Sequence, residues 1–387
     1  MEAVILAGGL GMRLRSVVHD VPKCMALVAG KPFLAYLLEG LAREGVDHVV
    51  LSVGYLREAV MDWVDTREWP FKVSYAVEEA PLGTGGGIRR ALSYCCEDKV
   101  LVLNGDTLFH ADVAALDTGA AVSIALKPMR DFDRYGSVIL EGDRVVCFEE
   151  KQPCAEGLVN GGVYLIDRTR LDLSAFPEKF SFEQDALVPG ALAGQVGGVV
   201  QDGYFIDIGI PEDYVRAQQE LPELQAVLTA SDAVLAAEAD TLFLDRDGVI
   251  NRLVAGDYVR DWSQFHFLPG ILESLRAWAG KFRHILIVTN QRGVGRGLMD
   301  ETALSDIHAR MCAEISRAGG RIDGIYVCTA MDPADPCRKP GTGLFFQACA
   351  DFPDIDPARC VMLGDAPSDI EFARRCNMAA VRVSFPG

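Results

Sequence analysis

Apolar and polar positions along this chain fall into two alternating patterns. Runs with almost no polar residue predict strands buried on both faces: Val4-Ile-Leu6, Val49 to Val53, Val100-Leu-Val-Leu103, Leu242-Phe-Leu244, Ile285-Leu-Ile-Val288 and Val361-Met-Leu363. Between such runs lie stretches of helical spacing, clearest over Phe33 to Glu44, where Phe33, Leu34, Leu37, Leu38 and Leu41 share one face. Strand, helix, strand in that order predicts a parallel sheet with crossover helices. Val138 to Phe148, turning at Glu141-Gly-Asp143, predicts a hairpin instead. Pro211 to Leu221 reads as a closing helix, and the alanine-rich, mildly acidic stretch from Pro222 to Asp240 as a helical or semi-rigid connector. The expected fold class is α/β in two domains, each a Rossmann-like, mostly parallel sheet flanked by helices. The boundaries expected are 1–222, a connector at 223–239, and 240–387.

Composition narrows the function. At 387 residues the chain is long enough for two cores. A net charge of −18 disfavours a broad nucleic-acid or anionic-membrane surface. It leaves phosphorylated substrates open, because carboxylate-bound Mg²⁺ reverses the local sign. Eleven cysteines without framework spacing suit a reducing cytoplasm. The opening Met1-Glu-Ala-Val-Ile-Leu has no basic leader region, and its apolar run is far too short to span a membrane.

Candidate chemistry sits where the apolar runs stop. Leu242-Phe-Leu-Asp-Arg-Asp-Gly248 ends a strand in two carboxylates on the same side of the chain, which repel unless a cation or a proton intervenes. Asp106 closes the run Val100 to Leu103, and Asp207 follows Phe205-Ile206; one Asp from each of two strands suits Mg²⁺ on a triphosphate. Ala7-Gly-Gly-Leu-Gly-Met-Arg13 supplies glycines for an anion nest and a guanidinium for phosphate oxygens. It lacks the third glycine of a dinucleotide fingerprint. Leu82-Gly-Thr-Gly-Gly-Gly-Ile88 opens a helix that could admit a flat ring or a phosphate.

The first half resembles the sugar-1-phosphate nucleotidyltransferases. The blocks Leu6 to Leu14, Pro22-Lys23, Leu82 to Gly86, Asn104-Gly-Asp106, Glu150-Lys151, Asn160-Gly-Gly162 and Asp207-Ile-Gly209 stand in that family's order. Leu14-Arg-Ser-Val-Val18 and Lys31-Pro-Phe33 are most similar to its heptose 1-phosphate guanylyltransferases. The resemblance implies attack of a sugar 1-phosphate on the α-phosphorus of an NTP, with positioning and charge neutralisation as the catalytic devices. It assigns the triphosphate to Ala7, Gly8, Gly9, Gly11 and Arg13, the transferring phosphate to Lys23, and the base to Gly83, Thr84 and Gly85. Asp106 and Asp207 would hold Mg²⁺, with Asp106 also at the nucleotide. Lys151, Asn160, Gly161 and Glu183 would meet the sugar phosphate. Cys24 stands where the wider family often has a second proline.

The second half resembles the haloacid-dehalogenase phosphatases. Asp245-Arg-Asp247, Thr289-Asn-Gln, Cys337-Arg-Lys339-Pro and Gly364-Asp365 follow the order of that superfamily's four motifs. The implied roles are Asp245 as nucleophile, Asp247 as acid and base, and Thr289 and Lys339 on the phosphoryl oxygens. Lys339 is expected at a helix start. Asp245, the Asp247 carbonyl and Asp365 would bind Mg²⁺, with Asp369 beside them rather than on the metal. The motif spacing leaves no room for a large cap domain. Thr289 to Gly297 and Arg338-Lys339-Pro are similar to the heptose 1,7-bisphosphate 7-phosphatases, with Asn290, Arg296 and Arg338 as candidates for the sugar and its second phosphate. Those relatives carry a zinc loop of three cysteines and a histidine; here Cys328 and Cys337 remain, too few for a structural site, so no zinc is expected.

The halves explain each other. A 7-phosphatase acting on heptose 1,7-bisphosphate yields the heptose 1-phosphate that a guanylyltransferase consumes. The expectation is a cytoplasmic, bifunctional enzyme using Mg²⁺ in both domains and making GDP-heptose from GTP. Its alternatives are another sugar with UTP, CTP or ATP, or one domain serving as a scaffold. A homo-oligomer is compatible with this reading, and the oligomeric state stays open.

Overall fold

The computed structural model describes residues 1–9, 21–254 and 256–385. Gly11 and Arg13 lie outside the described residues. The chain divides into two compact units, Met1–Gln219 and Glu220–Gly387.

Among the described residues of the first unit, nine strands form one sheet. Their spatial order is Lys72–Val77, His48–Val53, Glu2–Leu6, Lys99–Asn104, Cys154–Asp167, Val122–Phe132, Val196–Val200, Arg144–Phe148 and Val138–Glu141. The first four run parallel, and Cys154–Asp167 is antiparallel to both its neighbours. Ala3, Val4 and Ile5 are fully buried at the centre, which is why this strand reads as unbroken apolar sequence. Val138–Glu141 and Arg144–Phe148 form the expected hairpin at the sheet edge. A separate two-stranded ladder pairs Phe205–Asp207 with Thr107–Phe109.

The second unit carries a parallel sheet ordered Gly324–Cys328, His284–Asn290, Thr241–Leu244, Cys360–Gly364, Ala379–Arg382. Alternation along its strands builds two cores. Leu242, Leu244, Ile285, Ile287, Val361 and Leu363 face one; Phe243, Leu286, Val288 and Met362 face the other. All these strands point the same way, so the residues just past Leu244, Thr289 and Gly364 gather at one rim. Asp245, Asp247 and Asp365 stand there.

The stretch expected as a helical or semi-rigid connector is helical as far as Ala236, and part of it packs into a core. One helix runs Pro211–Ala236 straight through Pro222. Leu221, Leu224, Val227, Ala230 and Val234 are all buried, and the last three join the second unit's core. Their spacing is a helical stripe, and its burial outweighs the ~3 kcal/mol a proline costs inside a helix.

Candidate active sites

In the first unit a cavity of about 360 Å³ opens at the carboxyl ends of the parallel strands. Ala7, Gly8 and Gly9 line it after the strand Glu2–Leu6, Glu78 after Lys72–Val77, and Gly105 and Asp106 after Lys99–Asn104. Lys23, Cys24, Gly83 and Thr84 complete the wall. The Cys24 thiol is buried, and burial pushes it up to about 12, so it is a neutral packing group here.

The glycine-rich segment is the start of a helix, Gly83–Leu92. Gly83 has φ +72°, and a Cβ there would lie 2.5 Å from the Phe180 carbonyl oxygen. Gly87 is bare for a second reason: a Cβ would lie 2.8 Å from Oε1 of Glu78. The Thr84 hydroxyl accepts the Phe182 N–H at 2.9 Å, and Arg89 donates to the Phe176 and Glu178 carbonyls at 2.8 and 3.2 Å. Those bonds fasten the loop leading to the π-helical turn Phe182–Leu187, which bears Glu183.

Lys23 Nζ lies 2.5 Å from Asp106 and 3.6 Å from Asp207. Asp207 Oδ1 also accepts the Gly209 N–H at 2.7 Å, and Tyr135 donates to its Oδ2 at 3.4 Å. Burial raises the Asp207 carboxyl above its usual range, and the neighbouring Asp106 adds to this. Two carboxylates against one ammonium leave a net negative charge, an arrangement that fits a divalent cation.

Asn160 stands at a register shift in its strand, where its amide donates to the Tyr164 hydroxyl at 2.9 Å and accepts the Gly162 N–H at 3.0 Å. Gly161 is buried, while Glu183 and Lys151 are exposed. Glu78 was not singled out in the sequence, although it follows a strand just as Asp106 does. Its Oε1 accepts from the Ser52 hydroxyl at 2.8 Å and its Oε2 from the Leu82 N–H at 3.1 Å.

In the second unit Lys339 is the hub. Its Nζ lies 2.9 Å from Asp245 and 2.6 Å from Asp369, and the lysine and Asp369 side chains are each 1% exposed. Burial works against the lysine's charge, but Asp245 and Asp369 outweigh it and hold the ammonium above its usual value. Lys339 sits in the loop before the helix Gly343–Asp351 rather than at a helix start. Asn290 holds that loop: its Oδ1 accepts the Lys339 N–H at 3.0 Å and its Nδ2 donates to the Lys339 carbonyl at 3.3 Å. Asn290 therefore spends its amide on the lysine's backbone.

Asp245, Asp365 and Asp369 each present a carboxylate oxygen within 4.8 Å of the others. A Cβ on Gly248, whose φ is +80°, would lie 2.5 Å from Asp365. Burial pushes Asp245 up to about 7 against the pull of Lys339, and burial with Asp369 pushes Asp365 up to about 6. Asp245 Oδ1 is the oxygen that faces the Lys339 ammonium, at 2.9 Å. Three carboxylates crowded around one ammonium fit Mg²⁺. Asp369 is committed elsewhere: besides Lys339, it accepts the Ala366 N–H at 3.0 Å.

Asp247 is surrounded by donors. Arg246 Nη2 lies 2.9 Å from both its oxygens, Asn251 donates to Oδ1 at 2.9 Å, and Gln291 to Oδ2 at 2.7 Å. Burial opposes its charge, yet Arg246 and the other donors outweigh it and hold the carboxyl below its usual value. Gln291 also donates to Thr289 Oγ1 at 2.8 Å, tying two motifs together. Arg246 and Gln291 stand inside the motifs Asp245-Arg-Asp247 and Thr289-Asn-Gln with no role assigned to them there, and Asn251 follows the first of these. Arg296 is exposed over the Tyr258 ring at 5.7 Å, and Arg338 donates to the Met331 carbonyl at 2.7 Å.

A nucleotidyl transferase family model matches residues 2–223, and a HAD-hydrolase-like model matches residues 336–384. The chain is 46% identical over 226 residues to the D-glycero-alpha-D-manno-heptose 1-phosphate guanylyltransferase of Aneurinibacillus thermoaerophilus, covering 57% of this chain and 98% of that protein. It is also 46% identical over 143 residues to the D-glycero-alpha-D-manno-heptose-1,7-bisphosphate 7-phosphatase of Mycobacterium tuberculosis H37Rv, covering 36% of this chain and 74% of that one. The crystal structure of HddC from Yersinia pseudotuberculosis complexed with GMP-PN is similar at 39% identity and a TM-score of 0.51, over 56% of this chain and 97% of that chain. Among the described residues no helix is long and apolar enough to cross a membrane.

Proposed function

This chain belongs to the nucleotidyl transferase family, and we propose that its two units catalyse consecutive steps of GDP-heptose synthesis. The second unit removes the 7-phosphate of D-glycero-α-D-manno-heptose 1,7-bisphosphate. The first transfers GMP from GTP to the resulting heptose 1-phosphate, releasing pyrophosphate. One observation carries the reading: a single chain joins regions 46% identical to a 7-phosphatase and to a 1-phosphate guanylyltransferase. The product of one named reaction is the substrate of the other.

In the phosphatase, a carboxylate oxygen of Asp245 attacks phosphorus, and the bond from phosphorus to the sugar oxygen breaks. Asp247, protonated, gives its proton to the departing alkoxide. A water then attacks the aspartyl phosphate, Asp247 takes its proton, and phosphate leaves with Asp245 restored. Lys339 and Thr289 hold the phosphoryl oxygens. Mg²⁺ held by Asp245, the Asp247 carbonyl and Asp365 would offset the repulsion between two anions. Because Asp247 is saturated by donors when no substrate is bound, it must exchange some of them before it can donate a proton. Arg296 and Arg338 are the candidates for the sugar's other phosphate. Zinc has no role in this reading.

In the transferase, an oxygen of the sugar 1-phosphate attacks the α-phosphorus of GTP, and the bond to the bridging oxygen of the β-phosphate breaks. Asp106 and Asp207 would hold Mg²⁺ there, and Lys23 steadies the transferring phosphate. Ala7, Gly8 and Gly9, with Gly11 and Arg13, are assigned to the triphosphate; Lys151, Asn160, Gly161 and Glu183 to the sugar phosphate. Glu78 supports guanine as the base. A carboxylate only accepts, and with Ser52 and Leu82 as its donors among the described residues each of its two oxygens keeps a lone pair. Guanine offers it two adjacent donor groups, N1–H and N2–H; uracil, cytosine and adenine have no two donor groups side by side on their pairing edges. Eleven free cysteines support a cytoplasmic setting.

The test is a panel of GTP, UTP, CTP and ATP with heptose 1-phosphate, read as pyrophosphate release. Preference for GTP is expected; equal or better use of another nucleotide would remove guanine from the proposal.

A further inference from the structure

Arg246 is fully buried, yet none of the four sequence motifs gives it a role. Its Nη2 holds both oxygens of Asp247, so what fixes the guanidinium also fixes the acid–base carboxylate. The partner of Nη1 comes from a distant helix. His308 Nε2 lies 3.2 Å away, on the helix Glu301–Arg317. That helix buries Leu304, Ile307, Met311 and Ile315, and His308 lies one turn from Leu304 and Met311, on the inward face. A histidine at such a position is an ordinary core residue unless its ring serves a neighbour, and here it serves a buried cation. Burial, then Arg246, pushes its pKa to about 4, so the ring is neutral and its Nε2 lone pair accepts.

We propose that His308 is a positioning residue for the phosphatase: it fixes Arg246, and Arg246 fixes the direction in which the Asp247 carboxyl faces the leaving oxygen. The proposal rests on the phosphatase reading and adds a residue outside all four motifs. Without His308, Nη1 would be left as an unmet donor in the interior. Among the described residues Arg246 Nε already lacks a partner. The guanidinium would then turn to recover an acceptor, and Asp247 would turn with it.

The test exploits what the carboxyl is needed for. An alkyl leaving group needs a proton as the phosphorus–oxygen bond breaks; p-nitrophenolate leaves without one. kcat/KM reports the steps through formation of the aspartyl phosphate, so it isolates proton donation from the later hydrolysis. For His308→Leu, kcat/KM on heptose 1,7-bisphosphate is expected to fall at least about tenfold further than on p-nitrophenyl phosphate, within the ~10²–10⁴-fold that a placed general acid supplies. His308→Gln, whose amide oxygen can accept from Nη1, should recover most of the difference. Activity on the aryl ester also reports that this unit remains folded. Equal losses on both substrates would make His308 merely structural, and no loss on either would make it idle; each result overturns the proposal. If the wild-type chain ignores the bisphosphate, the substrate reading falls alone, and the same comparison runs on whichever alkyl phosphate it hydrolyses. Absence of all phosphatase activity overturns both.

Discussion

Asp106 and Asp207 stand side by side because the Ile208 N–H donates to the Asp106 carbonyl at 3.0 Å, while Asp207 itself pairs with Thr107. Lys23 joins them from a third segment. The proposed nucleotide transfer needs no covalent intermediate and relies on placed charge, so misplacing this charge set should be costly. Asp106→Asn and Asp207→Asn should each lower GDP-heptose formation by about 10²-fold or more. Phosphate release from the second unit should continue. Pyrophosphate and phosphate assayed on the same samples check this, and simultaneous loss of both would refute independent sites.

Glu78 is expected to set the nucleobase. Replacing its carboxylate with an amide in Glu78→Gln removes charge-assisted hydrogen bonding worth about 1.5–3 kcal/mol. The GTP preference should drop by about 10- to 150-fold in kcat/KM. An unchanged ratio of GTP to ATP use would show that the base is read elsewhere.

Stability of the second unit should depend on pH in an unusual direction. Asp245 and Asp365 are raised to about 7 and about 6 from 3.8. An acid raised on folding binds more protons in the folded state, so stability falls as pH rises between the two values. Lys339 titrates above this window. Scanning calorimetry in EDTA should show this unit's unfolding temperature falling from about pH 4 to about pH 7, by about 2–4 °C per kcal/mol lost. Mg²⁺ should restore it, more at the higher pH, and Asp245→Asn should flatten the trend. A rise with pH in EDTA would contradict the assignment.

Gly83→Ala tests the fit between the glycine helix and the loop before Glu183. The left-handed φ and the 2.5 Å approach to the Phe180 carbonyl forbid a Cβ without backbone movement. A cost of about 1–3 kcal/mol is expected, with KM raised for the sugar phosphate. Thermal unfolding and steady-state kinetics would reveal a tolerant site if neither changed.

Much of this was written in the sequence, for a physical reason. Buried parallel strands need continuous apolar residues, and ligand sites of such sheets lie where those runs end, so Asp106, Asp245, Thr289 and Asp365 announce themselves. Glu78 obeys the same rule, but its strand, Lys72–Val77, is only partly buried and its polar residues disguise it. Arg246, Gln291 and His308 are different. Their importance lies in hydrogen bonds across the fold, to which residue spacing is blind. Lys339 is expected at a helix start from the sequence; the helix begins later, at Gly343, and Asn290 holds the lysine's backbone instead. The stripe Leu224, Val227, Ala230, Val234 was present in the sequence, but Pro222 and the surrounding alanines obscured it.

The most direct measurement starts from D-glycero-α-D-manno-heptose 1,7-bisphosphate with GTP and Mg²⁺, and follows phosphate, pyrophosphate and GDP-heptose together. All three are expected from the wild-type chain, none from Asp245→Asn, and phosphate alone from Asp106→Asn. Failure to release phosphate from either anomer of the bisphosphate, or phosphate release with no GDP-heptose to follow, would contradict two consecutive reactions in one chain.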